Sequence, residues 1–153
     1  MKQIRASDIA LLLLRVVTGV IIAYFGSQKV LGVFGGMGYQ GTITAFKEHM
    51  GMPMPLAISA MAGEFLGGLG LVFGVLTRFA AFGVASVMAV ATYVSASKPG
   101  VLSEVLAGNP PTAMSGVAFP LMIGIVALAI LIMGGGSIAL DSKLFGKKRP
   151  KVK

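Results

Sequence analysis

The chain has no cysteine and no tryptophan, a single histidine, His49, and 5 acidic residues among 153. Without a thiol it cannot carry out thiol–disulfide exchange with its own side chains, or hold a thiolate-bound metal or iron–sulfur cluster. One imidazole also excludes bis-histidine haem ligation within one chain. Charge is scarce altogether, with 12% of residues charged against 56% apolar. At a mean hydropathy of +0.89 there is too little polar side chain to cover a water-soluble body, so lipid is the expected main solvent.

What is present is apolar sequence in four stretches, each near the roughly 20 residues that cross about 30 Å of hydrocarbon. The predicted spans run over about 8–31, 55–76, 78–97 and 112–133. The expected fold class is therefore all-α, an integral membrane four-helix bundle that occupies the whole chain as one domain. Between the spans lie the breakers that such a reading needs: a glycine-rich stretch over 32–41, the tight connection Thr77-Arg78, Lys98-Pro99, and the glycines Gly134, Gly135 and Gly136. Residues 42–50 predict a short amphipathic helix in the first outer loop, with Ile43, Phe46 and Met50 on its apolar side and Gly51 as its stop. Lys2 and Arg5 ahead of an apolar run mimic a signal peptide, but Arg15 interrupts the run and its length exceeds a cleaved core, so a retained first helix is expected.

The formal charge of +8 does not describe a nucleic-acid groove, because the cations are neither spread over a face nor interleaved with aromatics. Of the 13 Lys and Arg, 6 fall in the tail 143–153 (Lys143, Lys147, Lys148, Arg149, Lys151 and Lys153), where anionic lipid would attract them. Nine of the 13 lie on the side holding both termini and Arg78 and three, Lys29, Lys47 and Lys98, on the other, with Arg15 inside the bilayer. The positive-inside rule then puts both termini at the cytoplasmic face of the cell inner membrane, with His49 and Glu104 outside.

The first span carries Arg15, Gly19, Ile22, Gly26 and Lys29 on one stripe at spacings of 4, 3, 4 and 3. The second repeats Gly63, Gly67, Gly70 and Gly74, which lets another helix come close. Glu64 sits mid-span beside that stripe, where an unpaired ionisable group costs about 3 kcal/mol or more. It should face the interior, partnered by Arg15, or by Lys29 if the first helix sits deeper. Such a cluster reads as a polar pocket for a headgroup, an anion or a proton, or as a buried ion pair that fixes register. Ser86, Tyr93 and Ser97 share a face of the third span and could line the same space, although hydroxyls in membrane helices often bond only the preceding turn. Met50, Met52 and Met54 beside His49 are soft donors, yet packing or membrane-surface contact accounts for them better than copper, and no metal site is expected. Gly35, Gly36 and Gly38 lack the Lys-Ser/Thr of a phosphate loop.

Read in order, Leu14-Arg15 with Gly19, Gly26-Ser27-Gln28-Lys29, Gly51-Met52-Pro53, Glu64 with Gly67-Gly68, Gly74, Thr77-Arg78, and 134–141 ending at Asp141 resemble the DoxX family over about residues 9–144. The resemblance implies a four-helix membrane bundle and kinship with DoxD-like small subunits associated with thiosulfate:quinone oxidoreductase. Many relatives carry His just before the glycine of the first helix; here that position is Phe25. The expectation is a membrane subunit of a quinone-linked redox assembly, itself without redox-active ligands, with quinone bound beside Arg15, Lys29, Glu64 and Tyr93 and electrons supplied by a partner chain. The alternatives are a carrier or binding protein for a small anion or lipid-like molecule, and a structural partner of a membrane complex. Arg78 and Asp141, both in the resembled pattern and on one face, are expected to pair.

Overall fold

Long apolar runs without a β-branched majority, punctuated by Gly and Pro, favour helices that bury their backbone polar groups internally, as lipid demands. The computed structural model describes residues 5–108 and 113–144. Four helices are long and apolar enough to cross a membrane: α1 (Ala6–Leu31), α3 (Met54–Phe73), α4 (Thr77–Ala96), and a fourth span, Gly116–Met133, in which a π-helical turn, Ala113–Ala118, runs into α6 (Phe119–Met133). Between the first two spans lies α2 (Gly38–Met50); α5 (Val101–Leu106) follows α4, and α7 (Leu140–Leu144) follows α6. Among the described residues there is no strand.

The bundle is inside-out relative to a soluble one. Leu71, Ala81, Val84, Ala127 and Ile130 are fully buried where α3, α4 and α6 meet, and Ile22 joins them from α1. Yet in the most apolar 18-residue stretch of each span only 22–33% of the residues are buried, and Phe79, Ile132 and Leu66 stand outward. An apolar surface of that extent belongs against lipid, so the chain is an integral membrane protein.

Glycine sets how close the helices come. A Cβ on Gly26 would lie 2.5 Å from the Phe65 nitrogen, and one on Gly19 2.7 Å from the Gly68 oxygen, so the α1 stripe is the seam against α3. The glycines of α3 are divided between two neighbours: Gly68 faces Ala23 of α1, while Gly63 and Gly67 meet Val87, Gly83, Val84 and Ala80 of α4. That division makes α3 a central helix, packed closely on both sides.

The boundaries differ from expectation most clearly at two places. The second span ends at Phe73, because Gly74 turns left-handed at φ 70 and caps the helix, and Leu76, also left-handed, belongs to the turn. The loop helix starts at Gly38, one turn earlier than the amphipathic pattern implied, and stops as expected at Gly51. The expected start of the fourth span at 112, and the basic tail beyond Leu144, lie outside the described residues.

Candidate functional site

Polar side chains collect at two ends of the bundle. At the end bearing α2, Lys29 in the last turn of α1 donates to both carboxylate oxygens of Glu64 on α3, at 2.6 and 2.5 Å. The close approach at Gly26 places them: α3 backbone at Glu64–Phe65 lies directly against α1, one turn short of Lys29. The Glu64 side chain is 5% exposed and that of Lys29 30%, so the acid is buried and the amine is its link toward the helix end. Thr42 of α2, itself buried, donates to the Lys29 carbonyl at 3.2 Å, and the Phe46 ring lies 5.8 Å from Nζ. The loop helix thus covers the pair from above.

Beside the pair is a cavity of about 370 Å³. Phe46, Met50 and Met52 form its α2 side, Leu56, Ser59, Ala60 and Gly63 its α3 wall, and Phe82, Ser86, Val87, Val90 and Val94 its α4 wall, with Lys98 at the helix end. Most of that lining is apolar, and Lys29 and Glu64 supply its charge together with Lys98. A donor and an acceptor held side by side in an apolar wall can bind a group that both accepts and gives a hydrogen bond.

Tyr93 does not reach this cavity. It is 73% exposed, and of its predicted companions Ser86 lines the space while the Ser97 hydroxyl donates back to the Tyr93 carbonyl at 2.8 Å. The helix turns about 100° per residue, and Val90, Val94 and Lys98, spaced by four, carry the cavity face away from Tyr93. Ser27, Ser59 and Thr92 likewise donate to the preceding turn.

Arg15 lies at the opposite end. It precedes Lys29 by fourteen residues, about 21 Å of helix, and the glycine contacts fix α1 so that Gly19 is level with Gly68 and Val72, and Arg15 with Gly74. The guanidinium fills the space that a Cβ on Gly74 would need. It is therefore Lys29, not Arg15, that meets Glu64. Arg15 is 2% exposed, and its Nε and Nη1 have no hydrogen-bond partner among the described residues.

The expected Arg78–Asp141 ion pair does not form either. Asp141 accepts the Leu76 and Thr77 N–H groups, each at 2.7 Å, and its own N–H donates to Gly74 at 2.9 Å, while Arg78 donates through Nη2 to the Ile132 carbonyl at 3.2 Å. The first N–H groups of α4 are the orphan donors of a helix start, and a carboxylate satisfies them better than it would an exposed guanidinium. Burial acts to raise the pKa of Asp141, but the Thr77 and Leu76 N–H groups and the Arg15 charge outweigh it, holding the carboxyl below the usual carboxylate range. Asp8, in the first turn of α1, makes a similar staple: it accepts the Arg5 N–H at 3.1 Å and the Ser137 N–H at 2.9 Å. The second of these bonds, across the bundle to a residue 129 positions away, has no local signature in the sequence.

Among the described residues no three of His, Cys, Asp or Glu converge on a point where a metal could sit. No solved structure matches the chain. A protein of Bacillus subtilis (strain 168) named "Putative oxidoreductase CatD" is 28% identical over 149 residues, covering 97% of each chain. The DoxX family model matches residues 10–96, which contain most of α1 and all of α2 to α4, the Lys29–Glu64 pair and every residue of the cavity up to Ser95. Over more than half its length, then, the chain carries the pattern that defines those proteins, and it belongs to the DoxX family.

Proposed function

We propose that this protein is a membrane subunit of a quinone-linked redox assembly and that the quinone ring is held in the cavity beside Lys29 and Glu64. One observation carries the reading: a buried acid, hydrogen-bonded to an amine, forms part of the wall of an otherwise apolar cavity whose volume, about 370 Å³, lies within the range of small-molecule sites. Lys29 would donate to a ring oxygen and Glu64 would accept from a reduced ring hydroxyl, so the pair can hold a proton at the Glu64 carboxylate while the ring changes its hydrogen bonding. The chain has no thiol and one imidazole, so the electrons would come from a partner protein. The relative's name, an oxidoreductase, agrees with this direction. Arg15 and Tyr93 are outside the proposed site. The inner membrane, with both termini cytoplasmic, is the placement that the Lys and Arg distribution favours.

A carrier for a small anion is less well supported, because the Lys29 charge is cancelled by Glu64 at 2.5 Å and only Lys98, exposed at the helix end, is left to attract one. The test is binding of a decyl-tailed benzoquinone to the purified protein in lipid nanodiscs. Glu64→Gln and Lys29→Met should each weaken binding by about tenfold or more while the helical circular dichroism is kept. Unchanged binding in both variants would remove the site.

A further inference from the structure

The cavity beside Lys29 and Glu64 has a second polar end. Val87 stands level with Gly63, its Cγ2 2.9 Å from where a Cβ on that glycine would sit, so the ion pair lies opposite the middle of α4. Lys98 follows Val87 by eleven residues, about 16 Å of helix. It lines the same cavity at its mouth, with Ser95 one turn before it. Between the two ends the wall is apolar, with Leu56 and Ala60 on α3 and Val90, Ala91 and Val94 on α4. Lys98 is exposed, and among the described residues no ion pair involves it. The lining therefore carries one uncompensated charge, the Lys98 ammonium.

We infer that this cavity takes a quinone whose ring carries an acidic arm, with the ring beside Lys29–Glu64 and the arm reaching along the apolar wall to set its carboxylate at Lys98 and Ser95. This rests on the ring site proposed above and names the class of molecule that the site would select. Charge sets the selection. Lys29 and Glu64 cancel, so the inner end suits an uncharged ring that accepts and gives hydrogen bonds, whereas the mouth offers an ammonium and a hydroxyl, both able to donate to a carboxylate. A quinone without the acid group leaves Lys98 to water and gains nothing from it. Diacyl lipid is a poorer occupant. Its phosphate could reach Lys98, but its chain would bring apolar carbon against a buried ion pair, and about 370 Å³ lies near the lower end of the range for small-molecule sites. Because Lys98 is exposed its contribution is modest, and it acts on which quinone binds more than on whether one does.

The experiment uses two benzoquinones with the same alkyl arm, one ending in a carboxylate and one in the neutral primary amide, titrated into the protein in nanodiscs of zwitterionic lipid. Lys98→Gln should weaken the carboxylate probe about fivefold more than the amide probe, the factor that corresponds to about 1 kcal/mol at an exposed ion pair. Lys98→Arg should keep most of that difference, and raising the salt concentration should shrink it. Comparing both probes on each variant cancels any general loss of folding or of partition into the lipid. Equal effects of Lys98→Gln on the two probes would overturn the acidic arm while leaving the ring site standing. So would a difference that vanishes when the nanodisc contains anionic phospholipid, because lipid phosphate would then hold the mouth. Failure of both probes to bind the unaltered protein would overturn the ring site, and the arm with it.

Discussion

The two ends of the bundle hold similar charges and use them differently. At the end bearing both termini, Asp8, Asp141 and Arg78 all spend their hydrogen bonds on backbone groups of another segment, at Ser137, at Leu76 and Thr77, and at Ile132. At the other end, Lys29 and Glu64 bond each other, side chain to side chain, on the wall of a cavity. A carboxylate that caps a helix is committed, since releasing it leaves orphan N–H groups. A carboxylate paired with a flexible amine can exchange that partner for a ligand without undoing any backbone bond. The contrast ties one end to architecture, and the site proposed at the other end rests on it.

The harshest way to break the comparison is to separate α1 from α3. Gly26→Val would force its side chain into the Phe65 backbone, 2.5 Å from where a Cβ would sit, and backbone cannot give way as a side chain can. We expect a loss of several kcal/mol, beyond the about 1–3 kcal/mol usual for overpacking, and little folded protein after detergent extraction. Near-normal yield would mean that the helices are not in this register.

Removing the acid of the pair comes next. Glu64→Gln should cost about 2 kcal/mol, less than the about 3–5 kcal/mol typical of a fully buried pair, because the Lys29 side chain is 30% exposed and can reach water. Adding Lys29→Met should recover part of that loss, which thermal unfolding of the two single variants and the double variant would measure. Additive losses would show that the two side chains do not act as a pair.

How much of this could be read from residues alone depends on the direction of the information. Helical periodicity reports which face a residue occupies, so the stripe Arg15–Gly19–Gly26–Lys29 was legible as the seam with the next span, as was Glu64 as an inward acid. Periodicity does not report height, and the choice between Arg15 and Lys29 is a question of height. It is decided by Gly19 against Gly68 and Gly26 against Phe65, contacts that need both helices at once. The Asp141 clamp was misread for a related reason. Opposite charges advertise themselves in a sequence, but the backbone N–H groups of Leu76 and Thr77 do not, and they lie 65 and 64 residues away. The cavity exists only where side chains of α2, α3 and α4 meet, so its residues looked like ordinary apolar sequence.

Asp141 sharpens the architectural side of the comparison at a smaller scale. Asp141→Ala would remove the cap of α4 and the tie that relieves the left-handed Leu76, at φ 47, for an expected cost of about 1–2 kcal/mol. Its pH dependence has a definite sign. The folded carboxyl lies below its ordinary value, so its contribution is complete above about pH 4 and declines as pH falls through the lower folded value. Thermal midpoints of the unaltered protein should fall on acidification below pH about 4, and those of Asp141→Ala should fall less. Parallel acid profiles would detach Asp141 from the effect.

Arg15 offers the smallest expected change and the most informative sign. Its guanidinium is 2% exposed, with Nε and Nη1 unbonded among the described residues, and the nearby opposite charge is Asp141, itself already engaged by two N–H groups. A buried cation with so few partners bears a desolvation cost that its attraction to Asp141 offsets only in part. Met has a similar length and no charge, and the space beside Gly74 that the guanidinium fills would accept a thioether. Arg15→Met should therefore leave stability within about 1 kcal/mol, on the stabilising side if it moves at all, while Glu64→Gln at the other end moves the other way. It should also leave the proposed quinone binding untouched, since Arg15 is on the opposite end from the cavity. Unfolding midpoints and nanodisc binding measured on the same preparation would check both. A loss of stability above about 2 kcal/mol would mean that Arg15 is bonded in the membrane, and lost binding would return it to the site from which the helix register has separated it.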